Sequence, residues 1–148
     1  MTSPILAIDL DGTLLAGAEI PQANIDALQE AVARDYTIAI ATARWHQMAS
    51  EVLERAGVPG FIIGCNGAHI YEPSSQRDLL DLRIDLELAN AVTDRARAFG
   101  GLLTATFEHD VIVFSDEPSN RVLPSYIQSV KGYPPLTGVA PRMMSYQA

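Results

Sequence analysis

Between residues 5 and 63, three short apolar runs alternate with two stretches of helical period. Residues 5–10 read as a nearly continuous apolar strand, the pattern of a strand buried on both faces. Pro21 suits a first helical position, and Ile25, Leu28 and Val32 repeat behind it at helical spacing. Thr37–Ala41 is a second apolar strand. Trp45, Met48, Ala49, Val52, Leu53 and Ala56 form the apolar stripe of an amphipathic helix, stopped by Gly57 and Pro59. Residues 61–63 supply a third strand. Strand, helix, strand, helix, strand predicts an α/β fold, a Rossmann-like parallel sheet with right-handed crossovers. In such sheets functional groups gather at the carboxyl ends of the strands. Those ends carry residues 9–11, 42–44 and 64–67, so three polar clusters are expected on one edge.

The pattern changes near residue 82. Residues 68–71 and 79–82 read as a hairpin around Pro73-Ser74-Ser75. Asp85 is expected to cap a helix with Leu88, Val92, Ala96 and Phe99 on one stripe, ending at Gly100-Gly101. Residues 102–107 and 111–115 suggest a second hairpin, and 121–130 a helix weakened by Pro124. The stretch from Lys131 holds Pro134, Pro135, Gly138 and Pro141 and reads as irregular. The expected division is a parallel α/β part, 1–82, and an α+β part, 83–148.

Composition narrows the function classes. The formal net charge is −8, which argues against nucleic-acid binding through bulk positive charge and against a polybasic membrane-surface segment. No apolar run approaches the roughly 18 residues of a membrane-spanning helix. Met1-Thr2-Ser3-Pro4 lacks the basic start of a secretory leader, and Asp9 and Asp11 interrupt the apolar run behind it. Cys65 is the only cysteine, so no internal disulfide forms. A cytoplasmic location is the expectation.

The chemistry concentrates in Asp9-Leu10-Asp11-Gly12-Thr13. Residues two apart in a strand point to the same side, so both carboxylates can face the pocket beyond the strand end. Two carboxylates so close repel unless a cation joins them. A hard ion such as Mg²⁺ resolves the repulsion and neutralises a phosphate brought alongside. Gly12 permits a tight turn that exposes backbone amides to an anion. An Asp carboxylate can attack a phosphoryl group, while a second Asp serves as acid to the leaving oxygen and as base to water.

Asp9-Leu10-Asp11-Gly12-Thr13-Leu14-Leu15 resembles the first motif of the haloacid-dehalogenase superfamily, whose phosphatases form a phosphoaspartate. Thr42-Ala43-Arg44 resembles its second motif, with Ala43 in place of the usual Gly. Asn66-Gly67-Ala68-His69-Ile70-Tyr71 resembles a stretch of the Cof-type branch, which includes many sugar-phosphate phosphatases and inserts an α/β cap after the third strand. The resemblance implies a Mg²⁺-dependent phosphomonoesterase acting on small phosphorylated metabolites. It implies that Asp9 is nucleophile and Mg²⁺ ligand, and that Asp11 is general acid/base and a second Mg²⁺ ligand through its carbonyl. Leu10, Gly12, Thr42, Ala43, Arg44 and Asn66 fall at phosphate- or substrate-binding positions, Thr42 bonding the phosphoryl group and Gly12 offering an amide. It also implies that 83–148 is a cap segment.

Two later motifs of that family have no counterpart here. One is a Lys or Arg that neutralises the phosphoaspartate; the other is an acidic Gly-Asp loop that completes the metal site. Lys131, the single lysine, is not assigned to that role. The expectation is a partial member, with residues 5–10 on an open apolar edge that pairs with another chain, as in a homo-oligomer, or is covered by the chain's own tail. The alternative function is a catalytically weak or inactive member serving as a binding or assembly module. A receiver-type signalling domain is disfavoured, because its phosphoacceptor lies at the third strand end, where this chain has Gly64-Cys65-Asn66-Gly67. His46, His69 and His109 lack metal-ligand spacing and read as surface or hairpin residues. Cys65 reads as a small buried side chain.

Overall fold

A computed structural model describes residues 3–17 and 19–99, and the strand backbones at 103–106, 111–114 and 142–144. Strands β1 (Ile5–Asp9), β2 (Thr37–Ala41) and β3 (Gly60–Gly64) alternate with helices α1 (Gln22–Ala33) and α2 (His46–Ala56). A 3₁₀ turn (Cys65–Gly67) leads into β4 (His69–Glu72) and β5 (Arg77–Asp81). The five strands form one sheet in the order β1-β2-β3-β4-β5. The first three are parallel, and β4 and β5 are antiparallel additions. This is the expected Rossmann-like α/β sheet.

Register explains the core. Leu6 pairs with Ile38, Ile8 with Ile40, and Ile40 with Ile62. Alternation places these side chains on one face. They cluster there with Leu28 of α1 and with Ala49, Val52, Leu53 and Ala56 of α2. Gln29 of α1 donates Nε2–H to the Ala56 carbonyl at 2.9 Å, tying one helix to the end of the other.

One expectation fails at β1. The apolar run predicted burial on both faces, yet Ile5 is 69% exposed and Ala7 is exposed, while Leu6 and Ile8 are half-buried against the core. The reason is position: β1 ends the sheet, and among the described residues both helices that pack on it cover the same face. The predicted boundaries of β2, α2 and the first hairpin are close to those observed.

Contacts divide the chain into Met1–Arg83 and Ile84–Ala148. The second unit contains α3 (Leu86–Ala98), capped as expected by Asp85, whose carboxylate accepts from Leu88 N–H at 2.7 Å. It also holds a sheet in the order β6-β7-β8, with β6 (Leu103–Thr106) antiparallel to β7 (Val111–Phe114). β8 (Arg142–Met144) lies parallel to β7, inside the stretch expected to be irregular. Its register partners are thirty residues away, as in Ile112 with Arg142, so no local signal marks it. The helix expected over 121–130 lies outside the described residues. Among the described residues no helix is long and apolar enough to cross a membrane.

Candidate active site

Asp9 is the last residue of β1 and pairs with Ala41, which pairs with Ile63. The carboxyl ends of the three parallel strands therefore lie level, and the segments 9–13, 42–44 and 64–67 leave the sheet on the same edge. Beyond Asp9 the chain tucks Leu10 fully into the core. Leu14 and Leu15 both donate backbone N–H to the Leu10 carbonyl, at 3.1 and 2.9 Å. Between them Gly12 takes φ +77°, a conformation that L side chains rarely adopt. Asn24 of α1 donates Nδ2–H to the Leu14 carbonyl at 2.9 Å and holds the loop against the helix. Asp9, Asp11, Gly12 and Thr13 are left exposed, and the Thr13 hydroxyl reaches Asp9 Oδ2 at 3.3 Å.

The segment after β2 is held by backbone bonds. Thr42 donates N–H to the Ile63 carbonyl at 2.9 Å, and its own carbonyl accepts from Asn66 N–H at 3.3 Å. Thr42 is buried, and its hydroxyl oxygen accepts from Arg44 N–H at 3.1 Å. The Arg44 carbonyl accepts from Cys65 N–H at 2.9 Å. Gly64 makes this closeness feasible: a Cβ there would stand 2.8 Å from the Arg44 carbonyl oxygen. Gly64→Ala is expected to displace this segment and cost about 1–3 kcal/mol of stability, measured by urea unfolding. Ala43 and Asn66 are exposed, and Asn66 takes φ +56° beside Gly67 at φ +91°.

The structure brings two of the sequence candidates into direct contact. The Arg44 side chain is nearly buried, 8% exposed, and reaches across to Asp11. Its Nε–H donates to Asp11 Oδ2 at 2.9 Å, and Nη2 bonds Oδ1. The fork occupies both carboxylate oxygens, the bidentate geometry to which guanidinium is suited. Thus the repulsion expected between Asp9 and Asp11 is met on the Asp11 side by a protein cation 33 residues away.

Sequence reasoning missed a second cluster beside this segment. His69 is a hairpin residue, one of the two readings expected for it, but it is only 9% exposed, because two partners satisfy its ring. Its Nε2 lies 2.7 Å from Asp78 Oδ1, and its Nδ1 lies 3.1 Å from Nδ1 of His46. The His46 ring stacks on Tyr71 with centroids 4.1 Å apart. His46 and His69 are 23 residues apart, so spacing along the chain gives no hint of the pair. A polar residue opening the short strand His69–Glu72 was the available signal.

Cys65 is half-buried rather than buried. Burial, then the nearby Asp81 carboxylate, pushes its thiol pKa up, which disfavours the thiolate a nucleophile needs. Asp81 is held below the usual carboxylate range, mainly by the hydrogen bond from Arg83 Nε at 2.7 Å.

The donor set suits Mg²⁺ in kind. The ion is often held by one or two carboxylates, with water and phosphate oxygens completing the shell. The exposed Asp9 carboxylate and the Asp11 carbonyl are oxygen donors of that type. Among the described residues, no group of three His, Cys, Asp or Glu side chains is placed to hold a metal.

Known proteins resemble this chain in sequence and in fold. A protein of Metamycoplasma hominis is 38% identical over 74 residues, which is 47% of this chain and 26% of that protein. The phosphatase YwpJ of Bacillus subtilis is 33% identical over 73 residues, 49% of this chain and 26% of its own length. Among solved structures, the subclass IIB sugar phosphatase BT4131 superposes with a TM-score of 0.74 at 24% identity, over 97% of this chain and 53% of that one. The chain thus spans about half of that solved relative, and the matched stretch covers about a quarter of each curated one. Structural likeness at this identity shows the fold. Membership rests on a sequence match to the family model itself, which runs from residue 6 to residue 134: the chain belongs to the haloacid dehalogenase-like hydrolases.

Proposed function

We propose that this chain carries the nucleophile half of a Mg²⁺-dependent phosphomonoesterase for small phosphorylated metabolites, with sugar phosphates as the first class to test. The observation that carries the reading is an exposed Asp9 at the end of a parallel strand, level with Thr42 and Arg44 on the next. The phosphatase and sugar-phosphatase names of the matched relatives support it.

In this reading a carboxylate oxygen of Asp9 attacks phosphorus and the bond to the ester oxygen breaks. Asp11 gives its proton to the leaving oxygen, then takes one from the water that hydrolyses the phosphoaspartate. Inorganic phosphate departs and the Asp9 carboxylate is restored. Gly12 N–H and the Thr42 hydroxyl are the donors proposed for the phosphoryl oxygens, with Ala43 and Asn66 lining the approach; Leu10, expected there, buries its side chain in the core instead. Mg²⁺, held by Asp9 and the Asp11 carbonyl, would neutralise phosphate charge. Asp11 cannot act as an acid while Arg44 fills both its oxygens. In this reading Arg44 passes to the incoming phosphate as a fixed cation, and Asp11, released from the fork, takes up a proton from solvent before it serves as the acid. Residues 83–148 would be the cap segment of such an enzyme. Hydrolysis of p-nitrophenyl phosphate with and without Mg²⁺ tests this: Mg²⁺-dependent turnover supports it, and none contradicts it for this chain.

A second reading, a non-catalytic module that assembles through an open sheet edge, is favoured by one observation. Among the described residues β1 ends the sheet, with Ile5 69% exposed. It predicts a dimer by light scattering that Ile5→Lys returns to monomer. A monomer that hydrolyses phosphate esters rules it out.

A further inference from the structure

The segment bearing Thr42 and Arg44 is pinned on one side by backbone bonds from Ile63, Cys65 and Asn66. On the other side a side-chain chain meets it. Asp78 of β5 accepts from His69 Nε2–H at 2.7 Å. A neutral His69 then presents Nδ1 as an acceptor, so at 3.1 Å the donor must be His46 Nδ1–H. With His69 neutral, the two rings hold opposite tautomers. His46 is the first residue of α2, two positions after Arg44. Tyr71 of β4 stacks on its ring, and the Trp45 ring meets it edge-on at 5.2 Å.

We propose that His46 and His69 are positioning residues, which with Asp78 latch the β4–β5 hairpin to the start of α2 and so set the angle at which Arg44 reaches Asp11. The part concerning phosphate turnover rests on the reading given above; the latch itself does not. Because the Arg44 side chain is nearly buried, a small rotation of its backbone would move the fork off the carboxylate. His46→Phe keeps a ring to stack on Tyr71 but removes the donor. His46→Asn loses the stack but keeps an N–H near the Nδ1 position.

The test is nitrogen NMR of the histidine rings and of the Arg44 Nε–H in the full chain, at a pH above histidine titration. The Arg44 signal is assigned by its loss in Arg44→Lys. The expected result is His46 protonated on Nδ1, His69 protonated on Nε2, and a slowly exchanging Arg44 Nε–H that disappears in His46→Phe and persists in His46→Asn. For p-nitrophenyl phosphate, His46→Phe is expected to raise KM about tenfold with kcat changed less than about threefold, and His46→Asn to restore most of the loss. Two rings in the same tautomer, or an Arg44 signal or KM unmoved in folded His46→Phe, overturns the proposal. If wild type shows no turnover, the phosphatase reading fails, while the tautomers and the Arg44 signal still decide the latch.

Discussion

Asp9→Asn is expected to reduce Mg²⁺-dependent phosphate ester hydrolysis to background, a fall on the order of 10⁴-fold in kcat/KM, which is about 5 kcal/mol of transition-state stabilisation. A carboxamide oxygen is a far weaker nucleophile than a carboxylate and carries no charge for a cation. The substitution is nearly isosteric, and Asp9 is exposed at the strand end with only a 3.3 Å contact from the Thr13 hydroxyl among the bonds described for it. An amide can still accept that bond, so the unfolding midpoint should hardly move. Kinetics and urea unfolding on the same preparation separate lost chemistry from lost fold. Activity that survives in folded Asp9→Asn would assign the nucleophile elsewhere.

Ile40→Ala is expected to behave in the opposite way, with a loss of about 2–5 kcal/mol read from urea unfolding. Ile40 is fully buried in β2, between Ile8 on β1 and Ile62 on β3, beneath the two helices. Removing its outer carbons leaves a void that neighbours on a hydrogen-bonded sheet cannot close. Domains of this size are commonly stable by only about 5–15 kcal/mol, so the shift is a large share of the total. A loss below about 1 kcal/mol would mean that this face is not the core that aligns the strand ends.

Much of the fold could be read from local pattern. Thr37–Ala41 is apolar and β-branched, the stripe from Trp45 to Ala56 has helical period, and Asp85 is a good cap. Each signal lies within one element. What local pattern could not give is what covers an element. The apolar run at residues 5–10 looks doubly buried, but only its register against β2 and the side taken by the helices show which face is packed. The parallel pairing of β8 with β7 is similarly long-range.

The candidate site divides in the same way. Asp9, Asp11, Thr42 and Asn66 were legible because a strand end followed by polar residues and Gly places them at one edge. The grip of Arg44 on Asp11 was not, since it depends on a side chain reaching between two strand ends. Nor was the latch of His46, His69 and Asp78, whose members come from three separate elements. Both are ionisable contacts made only once β1, β2 and the β4–β5 hairpin are aligned.

The central claim is that Asp9 accepts the phosphoryl group. Its most direct test is to quench the full chain during turnover of acetyl phosphate with Mg²⁺, reduce with borohydride, and sequence the peptides by mass spectrometry. Homoserine at position 9, absent from Asp9→Asn and from the reaction without phosphate donor, is the predicted result. Ongoing turnover with aspartate intact at position 9, or reduction at another carboxylate, would contradict the account.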